Sequence, residues 1–270
     1  EMTLGLIITA VVAVVAQMTG AYVSFIESTG LIGFFGFAIV QVVLAVALGA
    51  RIMKIKASTA RVMFYVYAAL MGFTLSSIFL VYSISDIGVA LVLCAAFFFV
   101  LTMFSLTTKF DMLKAGPILM VGLVVLIISQ IVLMFVPGST TGMRIICAFG
   151  LILFAGMTLY DAQQTRALFS AYEAQGPEMI KKISIICALN LYLDFVNMFL
   201  YILQLFGSRD GYHWNGTVIA DSANTDIVTT ADAMAHPAAA GWAIIVQMPI
   251  ARISETTPSS FGTGHGDTLA

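Results

Sequence analysis

Seven runs of mainly apolar residues dominate this chain, at roughly 4–25, 31–52, 62–83, 87–107, 114–136, 143–168 and 183–206. Crossing the hydrocarbon of a bilayer takes about 20 such residues in a helix, so each run is long enough to span. Helices are the form open to them, because lipid offers no partner to unpaired backbone groups and the runs lack the alternation of barrel strands. Breakers lie between them, such as Glu27-Ser28-Thr29-Gly30, Pro137-Gly138-Ser139 and Gly176-Pro177. The expected fold is an all-α integral membrane protein, with residues 1–207 forming a domain of seven transmembrane helices in the lipid bilayer.

Composition agrees. The chain is 60% hydrophobic and 10% charged, with a mean hydropathy of +1.02, far from an ordinary soluble domain. A net charge of −2 gives no sign of a nucleic-acid partner. Cys94, Cys147 and Cys187 all fall inside apolar runs, so buried free thiols are expected rather than disulfides. No histidine precedes His213 to activate one of them. The opening Glu1-Met2-Thr3 leads straight into apolar sequence, without a basic n-region or a cleavage site. No signal peptide is expected; the sequence begins just before, or slightly inside, its first span.

Lysine and arginine set the expected orientation. The connections after spans two, four and six carry Arg51, Lys54, Lys56, Arg61, Lys109, Lys114, Arg166, Lys181 and Lys182, whereas those after spans one, three and five carry Arg144 alone. This asymmetry puts the N-terminus and the basic loops in the cytoplasm. From about Gly207 the sequence turns polar and rich in small residues, and its longest apolar piece, 238–245, is too short to cross. Residues 208–270 are expected to form a polar, disordered tail. Its His213, His236 and His265 are too scattered for a metal site, and Asn215-Gly216-Thr217 is a chance-level sequon.

The seventh span holds the most informative pattern. Asn190, Asp194, Asn197, Tyr201 and Gln204 recur at steps of four, three, four and three, so they share one helical face. Such a seam must turn toward other helices or water, and an interhelical hydrogen-bond seam would account for the amides. An ionisable group in mid-span is costlier and marks an ion or proton path more often than packing. Asp194 therefore carries the functional expectation, with Asn190, Asn197, Tyr201 and Gln204 as candidate pore-lining residues.

Asp161, in MTLYDAQQTRALF, is the other carboxylate within a spanning pattern. With the sixth helix running to about residue 170, Asp161 lies about 14 Å from its cytoplasmic end, and Asp194 about 18 Å from the start of the seventh. The two can face each other at similar depth; if the sixth span ends early, Asp161 is instead an interfacial carboxylate. Two carboxylates at close range in a poorly solvated place resist ionising together and share a proton. Protonated, the pair can hold two helices together; deprotonated, it repels, opens and attracts a cation.

The run ALNLYLDFVNMFLYILQLFG (188–207), with LYDAQQ (159–164), GFTLSSIF (72–79) and SLTTKFDMLKAG (105–116), resembles the Bax inhibitor-1 family of membrane proteins, and the short loops resemble its bacterial branch. The resemblance covers about residues 2–209. It implies seven helices with the last enclosed by the other six. It also implies a pH-sensitive calcium leak governed by an aspartate pair, here Asp161 and Asp194, in a bacterial inner membrane. An arginine near the end of the second helix pairs with the aspartates in bacterial relatives, and Arg51 is the candidate for that role. The tail beyond Arg209 departs from the family pattern.

The expected function is thus a proton-controlled calcium leak rather than an enzyme, with no cofactor and calcium as the permeant ion. Calcium prefers about six to eight oxygen ligands, so two aspartates helped by Asn190, Asn197 and water would hold it weakly and transiently. One alternative is a regulatory protein that acts on a membrane-protein partner, a membrane protease or the machinery of cell death. Another is an intramembrane aspartyl protease, but Leu-Tyr-Leu-Asp around Asp194 lacks a Gly-x-Gly-Asp motif and no Pro-Ala-Leu follows. A retinal-type receptor needs a lysine inside the last span, and the lysines lie at span ends or in loops.

Overall fold

A computed structural model describes residues 1–134 and 140–207. The expected tail at 208–270, with its histidines and sequon, and the Pro137-Gly138-Ser139 turn lie outside the described residues. Within them the chain is helical: α1 (Met2–Thr19), α2 (Ala21–Arg51), α3 (Ala57–Leu75), α4 (Ile84–Thr107), α5 (Gly116–Met134), α6 (Thr140–Tyr172) and α7 (Pro177–Phe206). Six are long and apolar enough to cross a membrane, and α2 makes a seventh if its two halves form one bent span.

The first two spans are divided differently from the sequence reading. The helix expected at 4–25 stops at Thr19, because Gly20 takes a left-handed conformation (φ 64°) and its N–H closes onto Ala16 and Gln17. Glu27-Ser28-Thr29, expected as a connection, belongs to the helix. Ser28 and Thr29 donate their hydroxyls to the Phe25 carbonyl, at 2.9 and 2.6 Å, and so complete a turn there. The helix breaks only at Gly30, whose φ of 60° and ψ of −153° suit glycine alone. Ala21–Gly30 and Phe35–Arg51 meet at 112° across that break.

Burial separates the helices by role. In α7, 89% of the apolar window is buried, against 11% in α4 and 17% in α5. The outer helices show lipid-facing side chains, among them Val92, Phe99, Val100 and Phe104 of α4 and Ile118 and Val121 of α5. Helix α7 is enclosed: Tyr192 reaches Thr9 of α1, Phe64 and Tyr67 of α3 pack edge-on to Tyr192, and the Cys94 thiol of α4 points to the Phe195 carbonyl. Gln130 of α5 and Thr158 of α6 also bond to it, and Lys182 donates to the Met53 carbonyl just past the end of α2. On α1 the buried residues are Gly5, Thr9, Ala13 and Ala16, a row of small residues that lets α1 and α3 approach closely.

The basic connections share one face of the bundle. Ala57 at the start of α3 donates its N–H to Glu178 of α7 at 3.0 Å, and Arg61 pairs with Glu1 at 2.9 Å. Gln163 and Arg166 of α6 bond backbone carbonyls of the last turn of α4 and of the segment that follows it. Charge counting in the sequence grouped these loops, and the fold brings them together. The helices also run past their apolar stretches: α7 starts at Pro177 rather than 183, because Glu178, Lys181 and Lys182 lie on a first stretch that projects to this polar face.

Candidate functional site

The site is built on the packing of α6 against α7. These helices are antiparallel, and their cross-contacts follow one register: Cys147 with Gln204 at 3.0 Å, Phe154 with Tyr201 at 5.8 Å between ring centroids, and Thr158 with Met198 at 3.7 Å. Steps forward along α6 are matched by steps back along α7. The next pair in that register is Asp161 and Asp194. Both are buried, at 2% and 0% exposure, although each carries a carboxylate. Carboxylates are almost never buried this fully unless they are neutralised or paired.

Asn190, Asn197 and Tyr201 of the polar face on α7 are buried with them, and Gln204 is half-buried. Asn197 is fully buried and donates to the Leu193 carbonyl at 2.7 Å. Tyr201 accepts from the Gln130 amide at 2.7 Å, and Gln204 accepts from the Cys147 thiol. Asn190 is also buried. All five residues of the expected stripe thus face protein, as a polar seam in an apolar helix must. The three cysteines are buried free thiols. Arg51 is placed differently: it is exposed at the last turn of α2, within the basic face, and does not join the buried carboxylates. The turn that follows α2 sends Ile52, not Arg51, into the core.

Sequence reasoning passes over several polar groups that the fold uses. Gln41 is fully buried and its amide donates to the Leu70 carbonyl and to Thr74. Thr9 donates to the Ala68 and Gly5 carbonyls and lies 2.7 Å from the Tyr192 hydroxyl, which is left to act as donor. Gln130 reaches Tyr201, and Gln163 holds the segment after α4. Thr9, Gln41 and Gln130 stand in apolar runs, so the cost argument that selects Asp194 applies to them as well, whereas Gln163 sits in the polar stretch 161–166. Among the described residues no group of three or more His, Cys, Asp or Glu comes together as a metal cluster. Two carboxylates and neighbouring amides can share a proton or meet a passing cation.

Comparison with known proteins gives the family of the chain. A family model described as "Inhibitor of apoptosis-promoting Bax1" matches residues 1–211. The inner membrane protein YbhL of Escherichia coli strain K12 is 34% identical over 208 residues, covering 77% of this chain and 88% of that protein. A protein of Borreliella burgdorferi is 33% identical with the same coverage, and one of Rickettsia prowazekii is 30% identical over 77% of this chain and 86% of its own. The family match takes in every described helix, the buried aspartates of α6 and α7 included. This chain is an integral, multi-pass membrane protein and belongs to the Bax inhibitor-1 family.

Proposed function

We propose that the protein is a passive, proton-controlled calcium leak whose sensor is the pair Asp161 and Asp194. The observation that carries this reading is the register of α6 on α7, which sets two buried carboxylates at the same level. With one proton between them the pair draws α6 and α7 together. When that proton leaves, like charges repel in a place that screens them poorly, and the pair becomes a contact for a divalent cation. Calcium would be held there by few protein oxygens and much water, so it would pass rather than stay.

Titratable groups buried in the same core include Tyr67 on α3, Cys94 on α4, and Cys187 and Tyr192 on α7 itself. Phenols and thiols ionise well above neutral pH in their ordinary state, and α5 and the span of α1 supply no ionisable side chain. In this reading the aspartates are therefore the groups whose protonation sets the response. Arg51 enters this reading only as part of the basic rim at the mouth of the site. That rim would face the cytoplasm by the charge rule, and YbhL, as an inner membrane protein, supports the same membrane for this chain. The description of the family model favours a second reading, a regulator that acts through a membrane-protein partner.

The test is calcium influx into liposomes that contain the protein and a calcium dye, across about pH 5 to about pH 8, where carboxylates with perturbed titration change state. Influx that depends on pH in wild type and is flattened by Asp161→Asn and by Asp194→Asn supports the leak. Influx no greater than that of empty liposomes at every pH rejects it and leaves the regulator.

A further inference from the structure

We infer that Tyr201, tied to Gln130, is a second closure on the path along α7, one that does not respond to protons. The inference rests on the leak reading of Asp161 and Asp194. Tyr201 lies seven residues beyond Asp194, about 10 Å farther from the basic face at the helical rise. A cation that leaves the aspartates in that direction along the polar face of α7 meets this side chain next after Asn197.

Two neighbouring helices hold the ring in place. Its hydroxyl accepts from the Gln130 amide of α5 at 2.7 Å. The ring rests on Gly150 of α6, where an added Cβ would stand 2.6 Å from it. Phe154, one turn along α6, packs at 5.8 Å with its ring tilted 31°. The side chain is 1% exposed. One turn farther out, the Cys147 thiol donates to Gln204 at 3.0 Å and ties α6 to α7 again. The layer thus consists of one large ring and two hydrogen bonds between α7 and two different neighbours.

This layer is chemically unlike the aspartate pair. It has no carboxylate, and hydrogen bonds among an amide, a phenol and a thiol carry no formal charge at neutral pH. A cation crossing it finds an aromatic barrier until the ring swings away from Gly150 and the bond to Gln130 breaks. Two closures in series follow: the carboxylates set the pH at which the path opens, and Tyr201 sets how fast ions pass once it has.

The experiment pairs two readouts. Calcium influx is measured in liposomes for wild type, Tyr201→Ala, Tyr201→Phe and Gln130→Leu. In parallel, Asn197→Cys is labelled with a membrane-impermeant thiol reagent added on the face opposite the basic rim, with the native thiols as the baseline. Tyr201→Ala is expected to raise influx by about tenfold, as a buried hydrogen bond and a ring leave the barrier. The pH profile should stay where it is, and the thiol introduced at position 197 should become reactive only in the Ala background. Tyr201→Phe and Gln130→Leu, which keep the ring against Gly150, should give smaller increases. Wild-type influx in the Phe and Leu variants, with the introduced thiol protected throughout, would make Tyr201 packing only and overturn the inference, even if Ala fails to fold. If wild type conducts no calcium yet Tyr201→Ala exposes the introduced thiol, the closure stands and the calcium reading falls. No influx and no labelling in any variant rejects both.

Discussion

The side-chain amide of Gln163 donates to the Phe110 carbonyl at 2.8 Å and anchors the segment between α4 and α5 to α6. The same side chain accepts from the Met112 N–H at 2.8 Å and donates to the Ser105 carbonyl at 3.2 Å. Ser105 adds a bond of 2.5 Å to the Leu159 carbonyl. One glutamine thus supplies partners for backbone groups that leave a helix and have none of their own. It stands two residues after Asp161, so the anchor also fixes the depth of that carboxylate. Gln163→Ala is expected to loosen this segment at a cost of about 1–3 kcal/mol, the penalty of leaving such groups unpaired. Hydrogen exchange should accelerate across residues 105–113 while helix content holds. Unchanged exchange there would show that the bonds are dispensable.

How far this was legible in the sequence depends on the kind of energy involved. Burying Asp194 in mid-span is so costly that one residue and a period of 3.6 locate the polar face, and the fold buries four of its five members and leaves Gln204 half-buried. Span existence follows from length and hydropathy in the same way. What the sequence hides is settled by small differences. Whether a helix ends at Gly20 or at Thr29 turns on one left-handed residue and two hydroxyl bonds to Phe25. Arg51 and Ile52 are neighbours, and which one turns inward depends on how α2 ends against α3. What Gln130 and Gln163 bond depends on what lies across from them, which no local pattern encodes.

Gly72 tests the packing of α1 on α3. A Cβ at this position would collide with the Thr9 carbonyl oxygen and stand 3.0 Å from the Thr9 Cα, both backbone atoms that cannot swing aside. Gly72→Ala must push α1 outward, straining the bonds from Thr9 to Ala68 and to Tyr192. The expected cost is about 1–3 kcal/mol, as for other overpacked contacts, read as a lower thermal midpoint in detergent. At Gly88 of α4, by contrast, an added Cβ would meet nothing within 4 Å. Gly88→Ala should leave the midpoint unchanged or raise it slightly, since alanine is the better helix former. Equal effects from the two substitutions would contradict a tight crossing at Gly72.

Glu178 and Lys182 lie one turn apart on α7 and grip the connection between α2 and α3 from one side. Glu178 accepts from the Ala57 N–H at 3.0 Å, and Lys182 donates to the Met53 carbonyl at 3.1 Å. The first bond serves as a cap for α3, supplied by another helix, because Lys56 at the cap position offers no side-chain bond. Glu178→Ala is expected to fray the first turn of α3 by about 1 kcal/mol, the usual worth of a cap. Glu178→Gln, which keeps an acceptor, should restore most of it. Faster exchange at the Ala57 amide in the alanine variant alone is the outcome that supports the cap.

The aspartate pair makes a prediction about stability that does not need flux. If the closed bundle holds a proton between Asp161 and Asp194 that an unfolded chain gives up, the folded state binds more protons. Linkage then requires stability to fall as pH rises, because a proton bound only in the folded state costs more to hold as the proton's chemical potential in solution falls. The thermal midpoint of wild type in detergent should therefore decline from about pH 5 to about pH 8. Asp194→Asn removes one of the two charges and gives the other an amide donor in the same space, so its midpoint should vary less over that range. Asp161→Asn should do the same from the other helix. The double variant should be flattest of all, since no carboxylate remains in the seam to titrate. A wild-type midpoint that rises with pH would mean that both carboxylates are ionised in the closed state, and the proton-sharing account would have to be abandoned.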